Sequence, residues 1–205
     1  MNIYLIRHGQ TAWNNEGRIQ GNVDTDLDSI GQKQADLTGK RLAGQQIDQI
    51  FCSDLHRAVQ TGEIINKHLQ AELIIESGLR EIKYGQWEGR QWEDIRAHYP
   101  EYVEKWLHDR INLPAPGGES FADLQKRLQG VITRIKNQSS QNVLIISHAG
   151  VLKTLTCIFL ELNLENHSKF VFRNCGISII RFHTKSQQSQ LICLNDCSHL
   201  ESIPN

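Results

Sequence analysis

No apolar run in the 205 residues approaches the ~20 needed to span a bilayer. There is no CxxC pair and no Pro/Gly/Ser-rich stretch dividing the chain, and neither sign of charge is in surplus. Each absence excludes something. Lys and Arg number 22 against 23 Asp and Glu, a formal net charge of −1, so no field from net charge draws the chain to nucleic acid or to an anionic membrane. Five cysteines (Cys52, Cys157, Cys175, Cys193, Cys197) are scattered and odd in number, which fits neither a disulfide framework nor a zinc knot. Met1 to Arg7 has no basic leader, and its apolar stretch is too short for a signal peptide. The expectation is a reduced, cytoplasmic protein with mostly buried thiols. A hydrophobic content of 39% in an undivided chain suits one domain, residues 1–205, with a sizeable core. Oligomeric state is left open, a homodimer included.

What is present alternates. Asn2 to Arg7 reads as a central strand, apolar and continuous as parallel sheets require. Asp28 or Ser29 caps a helix to about Ala43, whose Gly31, Ala35, Gly39 and Leu42 make a small-residue face suited to close approach to the sheet. Strands follow at Ile50–Cys52 and Leu73–Ile75, with a helix from Leu55 to Leu69 between them. Trp92 to about Leu107 reads as helical, with Pro100 as a break or a fresh start, before a loop at Pro114, Pro116, Gly117 and Gly118. Glu119 to Asn137 is the strongest helical stripe, followed by a core strand at Val143–Ser147 and an apolar helix through Val151, Leu155 and Phe159. Ile177–Phe182 and Leu191–Leu194 read as a terminal strand pair joined by the polar Thr184–Gln190. The pattern predicts an α/β fold, a three-layer sandwich with a mostly parallel central sheet flanked by helices.

In such sheets ligands sit beyond the carboxyl ends of the strands. Arg7-His8-Gly9 follows the first strand, Ser53 to Arg57 the second, and Ser147-His148-Ala149-Gly150 the later core strand. One rim therefore collects Arg7, Arg57, His8 and His148, with Glu81 nearby. Arginine presents a planar fork that matches phosphate oxygens and stays charged. Neutral imidazole is a nucleophile near neutral pH. A carboxyl whose pKa is raised by burial can protonate a leaving oxygen. Each residue alone also has a bland reading: a capped strand end, a satisfied core histidine, a surface ion pair of Arg57 with Glu63 or Glu88, a solvated carboxylate. Two histidines and a glutamate can also hold zinc, although two adjacent arginines would repel the metal.

The motifs resemble those of the histidine phosphatase superfamily, the phosphoglycerate mutase-like family. Leu5 to Asn14 is similar to its Arg-His-Gly signature followed by Thr-x-x-Asn. Gly17 to Gly21, Asp26-Leu27 and Gly31 to Ala35 continue the pattern, Ser53 to Thr61 matches the second arginine motif, Leu79-Arg80-Glu81 with Gly85 to Gly89 the acid motif, and Ser147 to Gly150 the second histidine motif. The likeness spans about residues 3 to 160, in order.

The resemblance implies a phosphoglycerate mutase-like fold and a phosphohistidine mechanism that needs no metal or other cofactor. His8 would attack phosphorus, Arg7, Arg57 and His148 would hold the equatorial oxygens with Asn14 as a further donor, and Glu81 would serve as acid and then base. Gln20, Gly21, Lys83, Tyr84 and Ala149 join Asn14 as expected substrate-binding residues. Lys83 stands where related phosphatases often carry an acid, and Lys153 where an arginine is common. A shorter chain than typical mutases, the Gly85–Gly89 run and Ala149-Gly150 after His148 favour a phosphatase of the small bacterial branch, which includes α-ribazole and phosphoserine phosphatases. The alternatives are a cofactor-dependent phosphoglycerate mutase and a catalytically silent phospho-ligand module. The expected partner is a small phosphorylated metabolite. Trp87, Trp92, Tyr99, Tyr102 and Trp106 mark residues 87–119 as a cap segment in which specificity is expected to reside.

Overall fold

A computed structural model describes residues 1–203. Six strands, β1 (Asn2–Arg7), β2 (Gln49–Cys52), β3 (Glu72–Ile75), β4 (Asn142–Ser147), β5 (Ile177–His183) and β6 (Gln188–Asp196), form one sheet in the order β3-β2-β4-β1-β5-β6. The first four are mutually parallel, β5 runs antiparallel to β1, and β6 returns against β5. Seven helices accompany them: α1 (Ala12–Asn15), α2 (Ser29–Leu42), α3 (His56–Leu69), α4 (Trp92–His98), α5 (Pro100–His108), α6 (Phe121–Lys136) and α7 (Ala149–Phe159). None of the described helices is long and apolar enough to cross a membrane.

The period-2 pleat divides the core. Ile3, Leu5, Phe51, Val143 and Ile145 pack with Leu124, Leu128 and Ile135 of α6 and Val151, Leu152 and Leu155 of α7. Tyr4, Ile6, Ile50, Cys52, Leu144 and Ile146 pack with Ala35 and Leu42 of α2 and Ala58 and Ile65 of α3. The α/β sandwich expected from the alternation of elements is therefore what the chain forms, its central strands apolar on both faces because helices cover both. A third cluster, Trp87, Ile95, Val103, Trp106 and Ala115, is confined to the excursion that carries α4 and α5.

Local chemistry adjusts the element ends. Ser120 accepts from the Asp123 N–H while the Asp123 carboxylate accepts from the Ser120 N–H, a capping box that starts α6 at Phe121 rather than at Glu119. Pro100 opens α5 at its first position, so the Trp92–Leu107 stretch is two helices meeting at Tyr99. The small-residue face of α2 turns to α3 at Gly39, where a Cβ would come within 2.5 Å of the His68 ring and 3.1 Å of the Ile65 backbone. Residues 188–190 belong to β6 and not to the connection. Their polarity concealed the strand because it lies at the sheet edge, exposed to solvent.

Candidate active site

Sheet order explains why distant motifs meet. β1 lies beside β4 and β4 beside β2. Arg7 pairs in register with Ser147, and Cys52 with Ile146. The next residues, His8, His148 and Ser53, therefore leave the sheet side by side. The rings of His8 and His148 lie 5.1 Å apart between centroids. Beyond them opens a cleft of about 470 Å³ whose lining includes Arg7, His8, Asn14, Gln20, Gly21, Arg57, Glu81 and Tyr84.

His8 is buried, and its Nδ1 lies 2.8 Å from the Gly9 carbonyl oxygen. A carbonyl only accepts, so Nδ1 carries the proton and Nε2 presents a lone pair. Burial first, then the charges of Arg57 and Arg7, hold the His8 pKa well below the usual histidine value. The ring is neutral at physiological pH. Asn174 fixes the backbone beneath it, its Nδ2 donating to the His8 carbonyl at 2.8 Å and to Asn14 Oδ1 at 3.2 Å.

Arg57 is held on three sides. Its Nε donates to His148 Nδ1 at 3.2 Å, Nη1 to the Val23 carbonyl at 2.8 Å and Nη2 to the Gly21 carbonyl at 2.7 Å. Of its five N–H groups, one on each terminal nitrogen remains for the cleft. Burial lowers its pKa to about 10, which leaves it charged. Gly21 turns with φ +52°, and a Cβ there would meet Glu88 Oε1 at 2.1 Å, so no other residue fits where its carbonyl meets Arg57. Arg7 donates from Nη1 to the Phe172 carbonyl at 3.1 Å and lines the cleft with the rest of its fork.

Asn14 and Gln20 are oriented through their oxygens. Asn14 Oδ1 accepts from the Thr11 N–H and hydroxyl, which leaves Nδ2 as its free donor. Gln20 Oε1 accepts from the hydroxyls of Thr11 and Thr25. One turn of helix, α1, capped by Thr11, sets this geometry. Glu81 takes the Ile82 N–H at 2.9 Å and, through Oε2, the Gly150 N–H at 3.2 Å. A Cβ on Gly150 would stand 2.6 Å from Glu81 Oε1. Tyr84 lines the cleft with its phenol pKa raised by burial and by Glu81.

Three expected residues stand elsewhere. The Lys83 carbonyl accepts the Glu119 N–H at 2.8 Å, and its side chain lines a separate depression with Arg80, Glu119 and Arg127. That backbone bond turns the side chain away from the cleft. Ala149 opens α7 outside the cleft lining, and it is the next residue, Gly150, that touches Glu81. His148 is fully buried, with Nδ1 on Arg57 and Nε2 2.9 Å from Ser53 Oγ. In this arrangement it braces Arg57 and does not line the cleft. Its pKa too is held well below the usual value, by burial and then by Arg57.

Sequence reasoning missed Asn174, Gly150 and Arg110. Asn174 lies in an irregular stretch before β5 that carries no pattern. Gly150 was visible inside its motif. Arg110, in the turn after α5, lines the cleft with Trp92, Trp106, Leu107, Arg18 and Ile19. Of the aromatic residues expected in a cap, Trp92 and Trp106 face the cleft, while Trp87 is fully buried behind them in edge-to-face contact with both rings.

The family model described as the histidine phosphatase superfamily (branch 1) matches residues 3–195. Phosphoserine phosphatase 1 of Hydrogenobacter thermophilus is 31% identical over 199 residues, covering 97% of this chain and 93% of that protein. A protein named probable phosphoglycerate mutase GpmB, of Salmonella choleraesuis, is 32% identical over 214 residues, covering 98% and 96%. Among solved structures, the α-ribazole phosphatase of Shigella flexneri superposes with a TM-score of 0.88 at 30% identity, covering 96% of each chain. The strand-end histidines, the braced arginine and the family match over nearly the whole length lead to one assignment: the chain belongs to the histidine phosphatase superfamily, branch 1.

Proposed function

We propose that this phosphatase passes the phosphoryl group of a small phosphomonoester first to His8 Nε2 and then to water, without a metal. The single observation that carries the reading is the bond from His8 Nδ1–H to the Gly9 carbonyl. It fixes the tautomer with a lone pair on Nε2, and burial, then the charges of Arg57 and Arg7, keep that nitrogen unprotonated.

In the first step a P–N bond forms at Nε2 as the P–O bond to the leaving alcohol breaks. Arg7, Arg57 and Asn14 Nδ2 bind the phosphoryl oxygens, each charge-assisted bond contributing about 1.5–3 kcal/mol. His148 keeps Arg57 aimed. Glu81 delivers its proton to the departing oxygen. In the second step Glu81 takes a proton from water, the water oxygen attacks phosphorus, and the P–N bond breaks to release inorganic phosphate. Positioned charge supplies most of the rate, as in phosphoryl transfer generally. Gln20, Gly21 and Tyr84 border the substrate. The chain works as one domain with residues 87–119 as its cap. Its five free thiols fit a reducing compartment, the cytoplasm.

Rapid quench with labelled substrate should trap acid-labile phosphate on His8, and His8→Ala should lose roughly 10⁴-fold or more in kcat. Label on another residue, or full activity in that variant, overturns the reading. Conversion of 3-phosphoglycerate to 2-phosphoglycerate faster than phosphate release would make the acceptor a sugar-acid hydroxyl, the mutase outcome.

A further inference from the structure

Four arginines line the cleft, against the single carboxylate of Glu81. Three have evident employment. Arg7 and Arg57 frame the phosphoryl position beside His8. Arg18 is paired with Glu16 and donates to the Gly89 carbonyl at 2.8 Å. Arg110 is different. It is half-buried, and among the described residues it makes no hydrogen bond, ion pair or stacking contact.

Its backbone is nevertheless fixed. The Asp109 carbonyl accepts the N–H groups of Asn112 at 3.2 Å and Leu113 at 2.8 Å, and the Asp109 carboxylate accepts from Asn112 Nδ2 at 2.9 Å. On the other side, the Ile111 carbonyl takes the Ala122 N–H at 2.9 Å at the start of α6. A guanidinium set on a built turn, facing a cleft and lacking a partner, is a donor array prepared for an anion.

The lining that Arg110 shares with His8 also includes the apolar side chains of Ile19, Trp92, Trp106 and Leu107, the last 39% exposed. The phosphoryl dianion is already matched by Arg7 and Arg57. Lys153 on α7, half-buried and also without a hydrogen bond or ion pair among the described residues, adds to the positive field there: it interacts electrostatically with Arg110, Arg7 and Glu81.

We infer that the leaving alcohol carries a second anionic group, which Arg110 binds across a short carbon spacer lying against Trp106 and Leu107. This rests on the phosphatase reading above and deepens it. Arg110 is thereby a specificity-determining residue.

The experiment measures kcat/KM of the full chain on four kinds of ester. Phosphoserine and 3-phosphoglycerate carry a carboxylate, fructose 1,6-bisphosphate carries a second phosphate, glycerol 2-phosphate is otherwise uncharged, and p-nitrophenyl phosphate reports the bare chemistry. The wild type should favour an anionic ester over glycerol 2-phosphate at least tenfold. Arg110→Gln should collapse that ratio, mainly through KM, and Arg110→Lys should restore part of it. A ratio within one protein is insensitive to partial misfolding of the variant. Preference for the carboxylates identifies one source of the anion and preference for the bisphosphate the other. Equal rates on charged and uncharged esters, or an unchanged ratio in Arg110→Gln, overturn the inference while hydrolysis of p-nitrophenyl phosphate keeps the phosphatase reading intact. No hydrolysis of any ester overturns both.

Discussion

Two regions of this molecule face the same cleft and are built in opposite ways. At the strand ends, side chains are held by backbone atoms and by one another: His8 by Gly9 and Asn174, Arg57 by His148, Gly21 and Val23, Glu81 by Ile82 and Gly150. On the helical excursion, α4 and α5 pack through a small aromatic cluster of their own, and Arg110 meets the cleft unpartnered. The first region has its geometry over-determined before any ligand arrives, which electrostatic catalysis requires. The second presents rings and a cation that a ligand must satisfy. On the function and the inference proposed above, chemistry and selection are separable, and substitutions in the two regions should fail differently.

The largest effect is expected at the strand-end side. Glu81→Gln keeps a side chain of nearly the same shape but, on the mechanism proposed above, cannot donate and accept the proton. For alkyl esters kcat should fall roughly 10²- to 10⁴-fold, the range for loss of a general acid–base. For p-nitrophenyl phosphate, whose leaving group needs little protonation, the loss of phosphorylation rate should be much smaller. Rates on a series of leaving groups measure this. A uniform loss of the phosphorylation rate across the series, read in the burst phase so that the shared hydrolysis step does not enter, would mean that Glu81 serves the geometry and not the proton.

A smaller and differently shaped effect belongs to the excursion. Trp106 is 8% exposed, its ring centroid 5.2 Å from that of Trp87 and 5.9 Å from that of Trp92. Trp106→Ala should cost about 3–5 kcal/mol of stability, the usual range for emptying a buried aromatic position, and it should flatten the preference among substrates. The kcat for p-nitrophenyl phosphate should fall less than about tenfold, because neither His8 nor its arginines rest on that cluster. Denaturant unfolding with parallel kinetics tests both parts. A loss of p-nitrophenyl phosphate turnover as large as that of His8→Ala would erase the distinction between the two regions.

The same distinction governs what could be read without coordinates. Arg7 and His8 were legible because an apolar strand points straight at them, and Arg57 and His148 because each follows another apolar strand. One rule, that parallel strands end on one rim, joined them. The details that escaped depend on backbone pairing between segments with no periodicity. Lys83 lies two residues beyond Glu81 and would share its face on an extended chain. The bond from Glu119 N–H to the Lys83 carbonyl turns the backbone there, and the side chain goes elsewhere. The motif resemblance implies a phosphate donor at His148, but nothing in the motif shows that Arg57 and Ser53 occupy both of its nitrogens. Arg110 carried no signal at all, being one arginine in a polar turn whose importance is the absence of a partner.

The smallest expected effect concerns pH, and it again separates the regions. His8 and His148 are both buried neutral, each with a pKa well below its ordinary value. In the unfolded chain they take up protons near the usual histidine pKa of about 6.5. Between that pH and the lower folded values the unfolded state binds more protons, so stability is full above about pH 6.5 and declines as pH falls below it. The slope approaches about 1.4 kcal/mol per pH unit for each histidine. Arg7→Gln removes one of the charges that depress His8, so its pKa should rise toward the ordinary value and the pH dependence of stability should shrink. Trp106→Ala, which alters no charge and lies on the excursion, should leave the His8 titration where it is. Ring NMR of the histidines in the two variants decides the matter: a shift of His8 in Trp106→Ala as large as that in Arg7→Gln would mean that the aromatic cluster sets the electrostatics of the strand ends after all.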